Sequence, residues 1–210
     1  MAELLLDTQG TGITPASGKT LVYPDSSSKQ VTSLDDTGRK LSLGGIITNW
    51  NTVDVVANAA DTYLTGSMLT VPQHLLQVGT TLRWKIWMTK TAAGVASPVW
   101  SLRVGIAGTT ADTVRCTFTG GAQTAVVDTG YVEIVAVVRN IGAAGVLAGG
   151  LALAHNLAST GFALTANTVL QSTSAGFDTT AAGLKIGISV NPGASAIWTH
   201  QVVTADVLGM

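Results

Sequence analysis

Regular alternation of apolar and polar side chains is the feature of this sequence that most restricts its fold. From residue 82 to residue 88 every second side chain is large and apolar, and the positions between them are polar except for Trp87. The stretches 100–106 and 184–190 alternate in the same way. A period of two places the apolar side chains on one face of a β-strand. These stretches are therefore predicted to be half-buried antiparallel strands.

The remaining strand-like runs indicate a protein built almost entirely of β-structure. Glutamate occurs only as Glu3 and Glu133, whereas threonine, valine, glycine and alanine are abundant, which is a composition typical of strands and turns. Further runs bring the number of strands to about eight, the number found in a double-sheet jelly roll; they are 112–118, 131–141, 146–154, 165–170 and 196–207. We predict an all-β fold, an antiparallel β-sandwich of the jelly-roll kind.

The composition changes near Gly44 and Gly45, and this change divides the chain into two parts. Residues 1–45 are rich in proline, glycine and serine, and we expect an extended N-terminal arm. Within the arm, 20–23 and 30–34 flank turn residues and predict a short hairpin. Residues 46–210 are expected to form the sandwich.

A shortage of charge suggests that part of the surface is covered by other subunits. Charged residues make up 11% of the 210 residues, whereas apolar residues make up 46%. The run from Val132 to Val138 is apolar on both faces of the predicted strand, so one face requires a cover. The predicted subunit interface consists of Trp87, Val132, Ile134, Val135 and Val137.

The stretch GTGITPASGKT ends like a nucleotide-binding P-loop but does not have its spacing. The motif requires a glycine where Ile13 stands, and Gly12 lies one position too early. The turn-forming residues that follow also fail to predict the helix that holds the phosphates. No nucleophile elbow or cysteine–histidine signature is present, so we expect no enzymatic activity and no cofactor.

Other partner classes also lack sequence support. The histidines, His74, His155 and His200, lie far apart without a carboxylate at ligand spacing, which predicts no metal site. Lone Cys116 is expected to be a buried apolar side chain. The 11 basic and 12 acidic residues form no basic cluster, and the longest apolar run is broken by glycine, so neither nucleic acid nor a membrane is an expected partner. The start MAELLLDTQG lacks a basic region, so we expect synthesis and assembly in a cytoplasm.

The segment TPASGKTLVYPDSSSKQVTSLDDTGRKLSL, residues 14–43, resembles a segment near the start of many virion proteins of tailed bacteriophages. There it precedes fibre, spike or receptor-binding domains and joins the protein to the particle. The matching residues, which we assign to a virion anchor, are Pro15, Ser17, Gly18, Lys19, Tyr23, Asp25, Asp36, Thr37 and Gly38. The stretches DTYLTGSMLTVP, GTTLRWKIWMTKTAAGVASP and VGIAGTTADT resemble jelly-roll domains of phage head-fibre, decoration or tail-fibre proteins.

These resemblances imply a structural component of a phage virion, a head-fibre or decoration protein anchored by its arm and assembled in the host cytoplasm. A short chain without shaft-forming repeats fits these roles better than a tail fibre. The implied partners are other virion proteins and further copies of the chain, since such proteins are usually homotrimers. The alternative is a tail fibre or a receptor-binding module that binds a host-surface glycan, because Trp50 and Trp87 lie out of phase with the predicted core.

Overall fold

The computed structural model describes residues 47–208 apart from 59, 158, 165 and 166, together with Ser17 and three strands between residues 20 and 42. These three strands form an antiparallel sheet in the order β1-β2-β3; they are β1 (Thr20–Pro24), β2 (Val31–Asp35) and β3 (Lys40–Ser42). The register places Tyr23 opposite Thr32. The hairpin expected in this part of the chain is therefore present, with a third strand added to it.

The rest of the described chain forms two antiparallel sheets that pack face to face, and it contains no helix. The short strands that come first are β4 (Thr48–Asn51), β5 (Val55–Asn58), β6 (Thr62–Tyr63) and β7 (Leu69–Thr70). The longer strands that follow are β8 (Thr81–Lys90), β9 (Val99–Gly105), β10 (Thr113–Thr119), β11 (Asp128–Asn140), β12 (Val146–His155), β13 (Asn167–Thr173), β14 (Lys185–Asn191) and β15 (Ile197–Leu208).

The strand order confirms the predicted β-sandwich. The larger sheet has the order β13-β12-β11-β8-β15-β4, with β5 also paired to β15. The smaller sheet has the order β10-β9-β14-β6, with β7 also paired to β14. The pairs β8–β15 and β9–β14 join strands that are distant in the chain, whereas β11, β12 and β13 follow one another as a meander. The jelly-roll form of the sandwich stays a prediction. All eight predicted runs correspond to strands β8 to β15.

The core lies between the two sheets and contains the tryptophans that the alternation assigned to it. Trp84, Trp100 and Trp198 have no exposed surface. Trp100 of the smaller sheet and Trp198 of the larger sheet have ring centroids 5.2 Å apart, so they join the two layers directly. The indole N–H of Trp198 donates to Oε1 of Gln123 over 3.0 Å. Burial of such large side chains is a main source of stability, because truncation of a buried tryptophan costs about 3–5 kcal/mol.

Two other inward-facing side chains extend the core. Cys116 is buried as predicted, and burial raises the pKa of its thiol. His200 is also fully buried, and its Nδ1 lies 3.1 Å from the carbonyl oxygen of Val55. Burial lowers the pKa of His200 to about 4, because the interior disfavours the charged imidazolium.

The depressed pKa of His200 predicts a loss of stability in mild acid. The unfolded chain takes up this proton near its ordinary pKa of about 6.5, whereas the folded chain takes it up near pH 4. Stability is therefore complete above about pH 6.5 and is lost as the pH falls toward 4, by up to about 3 kcal/mol. His200→Gln retains a donor for Val55 but does not titrate, so denaturant unfolding at pH 4.5 and 7 should show a smaller difference for this variant. His74→Gln is the control, and an unchanged pH dependence in His200→Gln would contradict the assignment.

Candidate functional site

The predicted anchor residues fall mostly in parts of the chain that are not described. Ser17 is an exposed turn residue, and Tyr23 lies in β1. The others lie outside the described residues; they are Pro15, Gly18, Lys19, Asp25, Asp36, Thr37 and Gly38. The anchoring role therefore stays a prediction.

The predicted subunit interface needs a correction on β11. Val132 and Ile134 have no exposed surface, because their side chains point between the two sheets. Val132 and Ile134 therefore have no exposed surface with which to contact another subunit. Val135 and Val137 alternate with them and point to the outer face of the larger sheet, where they are half-buried. Trp87 of β8 lies on the same outer face and is 41% exposed.

An apolar surface, here called the β11–β13 plateau, extends over the outer faces of β11 and β12 and includes Val169 of β13. Glu133 of β11 and Gln171 and Thr173 of β13 are polar outward positions at its border. Its centre is β12, whose outward positions are occupied by Ala148, Gly150, Ala152 and Ala154. The cross-strand partners of Gly150 and Ala148 on β11 are Val135 and Val137. On β13, Val169 is the partner of Ala152 and is 72% exposed. Small central residues flanked by larger apolar ones leave a shallow trough on the sheet.

Charged side chains bound the plateau on the side of β8. Arg83 and Asp206 form an ion pair with an N–O distance of 3.3 Å. Next along the strand, Lys85 is the cross-strand partner of Glu133. The outer face is thus divided into a charged part, formed by side chains of β8 and β15 with Glu133 of β11, and the largely apolar plateau.

A groove lies at the end of this face, beside Trp87 and Tyr131. Their ring centroids are 5.1 Å apart, and the rings are tilted by 57°. The groove encloses about 350 Å³, and Asn156 and Gln201 also line it. Aromatic rings beside amide side chains give this groove a mixed apolar and polar character.

A larger cleft of about 550 Å³ lies at the edge of the sandwich, and we call it the Trp50 cleft. One wall is formed by Asn49 and Trp50 of β4, the second by residues 61–66 and the third by residues 108–110. Trp50 is 66% exposed. Gly66 has a φ of +87°, and a Cβ at this position would collide with the backbone of β4, so glycine allows the second wall to approach the first.

One arginine on the outer face of the smaller sheet ties two walls of the Trp50 cleft together. The side chain of Arg103 forms an ion pair with Asp61 in the second wall, and its own exposure is 11%. Its Nη1 donates to the carbonyl oxygen of Thr110 over 2.9 Å and to that of Asp112 over 2.6 Å. Its Nε donates to the Ser189 hydroxyl over 2.7 Å. Four of the five guanidinium N–H donors are therefore engaged.

The loop that supplies the third wall is held by the carboxylate of Asp112. This carboxylate accepts hydrogen bonds from the backbone N–H of Ala107 over 2.9 Å and of Gly108 over 2.7 Å. Gly108 has a φ of +71° and leaves room for the side chain of Met68. Nearby, the Tyr63 ring packs over Gly187, and burial raises the pKa of Tyr63 to about 12. The walls of the cleft are therefore fixed by contacts within the protein.

A buried polar cluster connects the ends of β8, β11 and β12. Nδ1 of His155 lies 2.7 Å from Oδ2 of Asp128, and neither side chain has exposed surface. The carboxylate also accepts hydrogen bonds from the N–H of Thr129 over 2.9 Å and of Phe162 over 3.1 Å. The sequence spacing did not predict a carboxylate beside a histidine, because 27 residues separate the two. Enclosure of both side chains favours a structural role.

Lys90 is the cross-strand partner of Asp128 and is only 2% exposed. Its Nζ lies within hydrogen-bonding distance of four backbone carbonyl oxygens; these belong to Thr91 (3.1 Å), Ala93 (3.2 Å), Thr124 (2.7 Å) and Val126 (3.3 Å). Burial lowers the pKa of Lys90, and the negative charge of Asp128 opposes this shift. The ammonium group therefore joins the segment after β8 to the segment before β11.

The described residues contain no group of three or more histidine, cysteine, aspartate or glutamate side chains that could hold a metal ion. Nor does the described part of the chain contain a helix long and apolar enough to cross a membrane. The expectation that the chain is not an enzyme stays a prediction. Comparison of the sequence with protein-family models and with curated proteins found no match.

Removal of the Asp128 carboxylate should destabilise the fold measurably. Asp128→Ala leaves the N–H of Phe162 and the His155 ring without this partner, so we expect the free energy of unfolding to fall by about 3 kcal/mol. Denaturant unfolding at pH 7 measures this change. Asp178→Ala is the matched control, because Asp178 is exposed and contacts only Thr180 among the hydrogen bonds described. Equal effects of the two substitutions would contradict a structural role for the buried cluster.

Proposed function

We propose that this chain is a structural component of a bacteriophage virion, a head-fibre or decoration protein whose N-terminal arm joins it to the particle. In this proposal the sandwich is displayed on the particle and carries no catalytic function. The support is the resemblance of residues 14–43 to phage anchoring segments, together with the exposed apolar surface on the sandwich. A tail fibre is the alternative virion position.

The observation that carries the proposal is the β11–β13 plateau. An outer sheet face in contact with water is ordinarily polar, whereas Val135, Val137 and Val169 flank a central row of alanine and glycine. A contiguous apolar surface of this kind is typical of an interaction site. Small residues on β12 permit a close approach, and the charged positions on β8 would form a polar rim.

A second copy of the chain is the proposed occupant of the plateau, and three copies form a homotrimer. The arrangement around a threefold axis is a closed heterologous interface, in which the plateau of each subunit contacts a different surface of the next. Val135 and Val137 remain in this interface as predicted from the sequence, and Ala152 and Val169 join it in place of Val132 and Ile134. Trp87 lies at the border of the contact.

If the chain is a trimer that associates through the plateau, one charged side chain introduced on the plateau should weaken the trimer. We expect the recombinant protein to be a trimer at micromolar concentration by native mass spectrometry and light scattering. Val137→Lys would bury an unpaired charge in the contact, so the concentration at half-dissociation should rise at least about 100-fold. Val169→Lys is a second variant, chosen because position 169 is 72% exposed within the subunit and tolerates lysine.

Ile106→Lys is the matched control, because Ile106 is 67% exposed and lies outside the plateau. Circular dichroism should show the same β-structure in all variants. A wild-type protein that is a stable, folded monomer at micromolar concentration would exclude the trimer and this explanation of the plateau.

The anchoring role predicts that the arm and the sandwich can be separated. Deletion of Met1–Leu43 should leave a folded sandwich, because the side chains of the core cluster, from Ala57 to Val207, pack against one another between the two sheets. The deleted chain should not be incorporated into particles assembled in its presence, whereas the full chain should be. Mass spectrometry of purified particles measures incorporation, and normal incorporation of the shortened chain would refute the anchor.

A further inference from the structure

The two exposed tryptophans of the sandwich occupy different settings, and Trp50 borders the larger of the two clefts. Trp87 is in contact with Tyr131 and lies beside the smaller groove of about 350 Å³. Trp50 is more exposed, at 66%, and borders the cleft of about 550 Å³. This second volume lies within the range of about 300–1,000 Å³ that small-molecule sites occupy.

We propose that the Trp50 cleft binds a neutral saccharide. A pyranose ring has one face of C–H groups that packs against an aromatic ring and a rim of hydroxyl groups that require hydrogen-bonding partners. Trp50 offers the aromatic surface, because the negative face of an indole attracts polarised C–H groups. The site is independent of the proposed trimer and of the virion role.

Hydrogen-bonding groups for the sugar hydroxyls come from the other two walls. Thr65 lies in the second wall, Thr109 and Thr110 lie in the third, and all three are exposed. Asp61 contributes a carboxylate whose Oδ2 is engaged by Arg103. A carboxylate has a second oxygen with its own acceptor positions, and among the described residues no hydrogen bond to this Oδ1 is found. A sugar hydroxyl can therefore donate to Asp61 without breaking the ion pair.

The charge of the cleft selects against acidic sugars. Asp61 is the only charged residue among the described residues that line it. The cation nearest to this carboxylate, Arg103, is largely enclosed and already engages Asp61, Ser189 and two carbonyl oxygens. The other cation near the cleft, Lys185, lies beside Gly108 but is not among the lining residues, and its Nζ contacts the carbonyl oxygen of Ala107 over 3.4 Å. The charge that lines the cleft itself is therefore the negative charge of Asp61, which disfavours an anionic ligand. Neutral hexoses and N-acetylhexosamines fit this setting, whereas sialic and uronic acids do not.

The cleft is also preorganised, which favours the binding of a small ligand. Arg103 joins the second wall to the third, and Asp112 fixes the loop at Ala107 and Gly108. In the second wall, the N–H of Ser67 donates to the carbonyl oxygen of Leu64 over 3.0 Å. Little conformational entropy is lost on binding when the walls are already fixed.

The test uses the full chain on an array of immobilised oligosaccharides that end in glucose, galactose, mannose or N-acetylglucosamine, with sialylated counterparts. We expect retention on at least one neutral oligosaccharide and none on its sialylated form. Calorimetry with the retained oligosaccharide then compares variants. Trp50→Ala should weaken binding at least about tenfold, because the stacking surface is lost. Trp87→Ala is the matched control and should bind like the wild type.

Thr109→Arg provides a second variant that does not alter β4. Its long side chain fills the cleft from the third wall, so it should also weaken binding at least about tenfold. Thermal unfolding verifies that each variant is folded. The proposal is overturned by binding to acidic sugars alone, by the absence of binding to any neutral oligosaccharide, or by loss of binding in Trp87→Ala. Native mass spectrometry of Trp50→Ala should still show the wild-type oligomer. A negative result for sugar binding would therefore leave the proposed trimer unaffected, and a negative result for the trimer would leave the sugar site unaffected.

Discussion

The contact between Trp100 and Trp198 is the interaction on which the arrangement of the two sheets depends. One ring comes from each layer, and the centroid distance of 5.2 Å makes them a continuous apolar column between the sheets. Phe162 extends this column with an edge-to-face contact to Trp198 at 5.0 Å. Gln123 satisfies the indole N–H of Trp198 and donates to the carbonyl oxygens of Ala96 and Pro192. The core thereby also orders the loops at this end of the sandwich.

Packing of the inner faces determines which surfaces remain for binding. On the larger sheet, the outward side chains of the plateau are mostly apolar and those of β8 and β15 are partly charged. On the smaller sheet, the outward side is covered by the segments that contain Tyr63 and Asp112, with Arg103 between them. The plateau lies at the β11–β13 side of the larger sheet, whereas the Trp50 cleft lies at the opposite edge of that sheet, beside β4, and extends to segments of the smaller sheet. A protein with this arrangement can associate with other copies through one side of the larger sheet and bind a small ligand at the opposite edge, where the two sheets meet.

The sequence predicted much of the sandwich because side-chain alternation is a local property. All eight long strands can be recognised from strand-like runs in the sequence. The alternation also places Trp84, Trp100 and Trp198 on the apolar, inward face of their strands, where the structure buries them. The run from Val132 to Val138 was ambiguous, because a strand that is apolar on both faces does not reveal which residues point inward. The short strands β4 to β7 have two to four residues each, too few to show a period.

The polar contacts were not predictable for a different reason. The contact of His155 with Asp128 and the contact of Arg103 with Asp61 join residues 27 and 42 positions apart, and no local pattern encodes such distances. Several aspartates of the sequence directly precede threonine, a dipeptide typical of turns at the starts of strands. Asp61, Asp112 and Asp128 do stand at such starts, but each also makes a tertiary contact that the dipeptide does not indicate.

The Lys90 ammonium group has a consequence for how freely the neighbouring loops can change in sequence. The three N–H donors of this group are shared among four oxygens within reach, and all four are backbone carbonyl oxygens, which every amino acid possesses. The segments around Thr91 and Thr124 are therefore joined by a contact that does not depend on the identity of their side chains. Substitutions there preserve the junction as long as the backbone keeps its path, so this end of the sandwich can diversify its surface while retaining its fold.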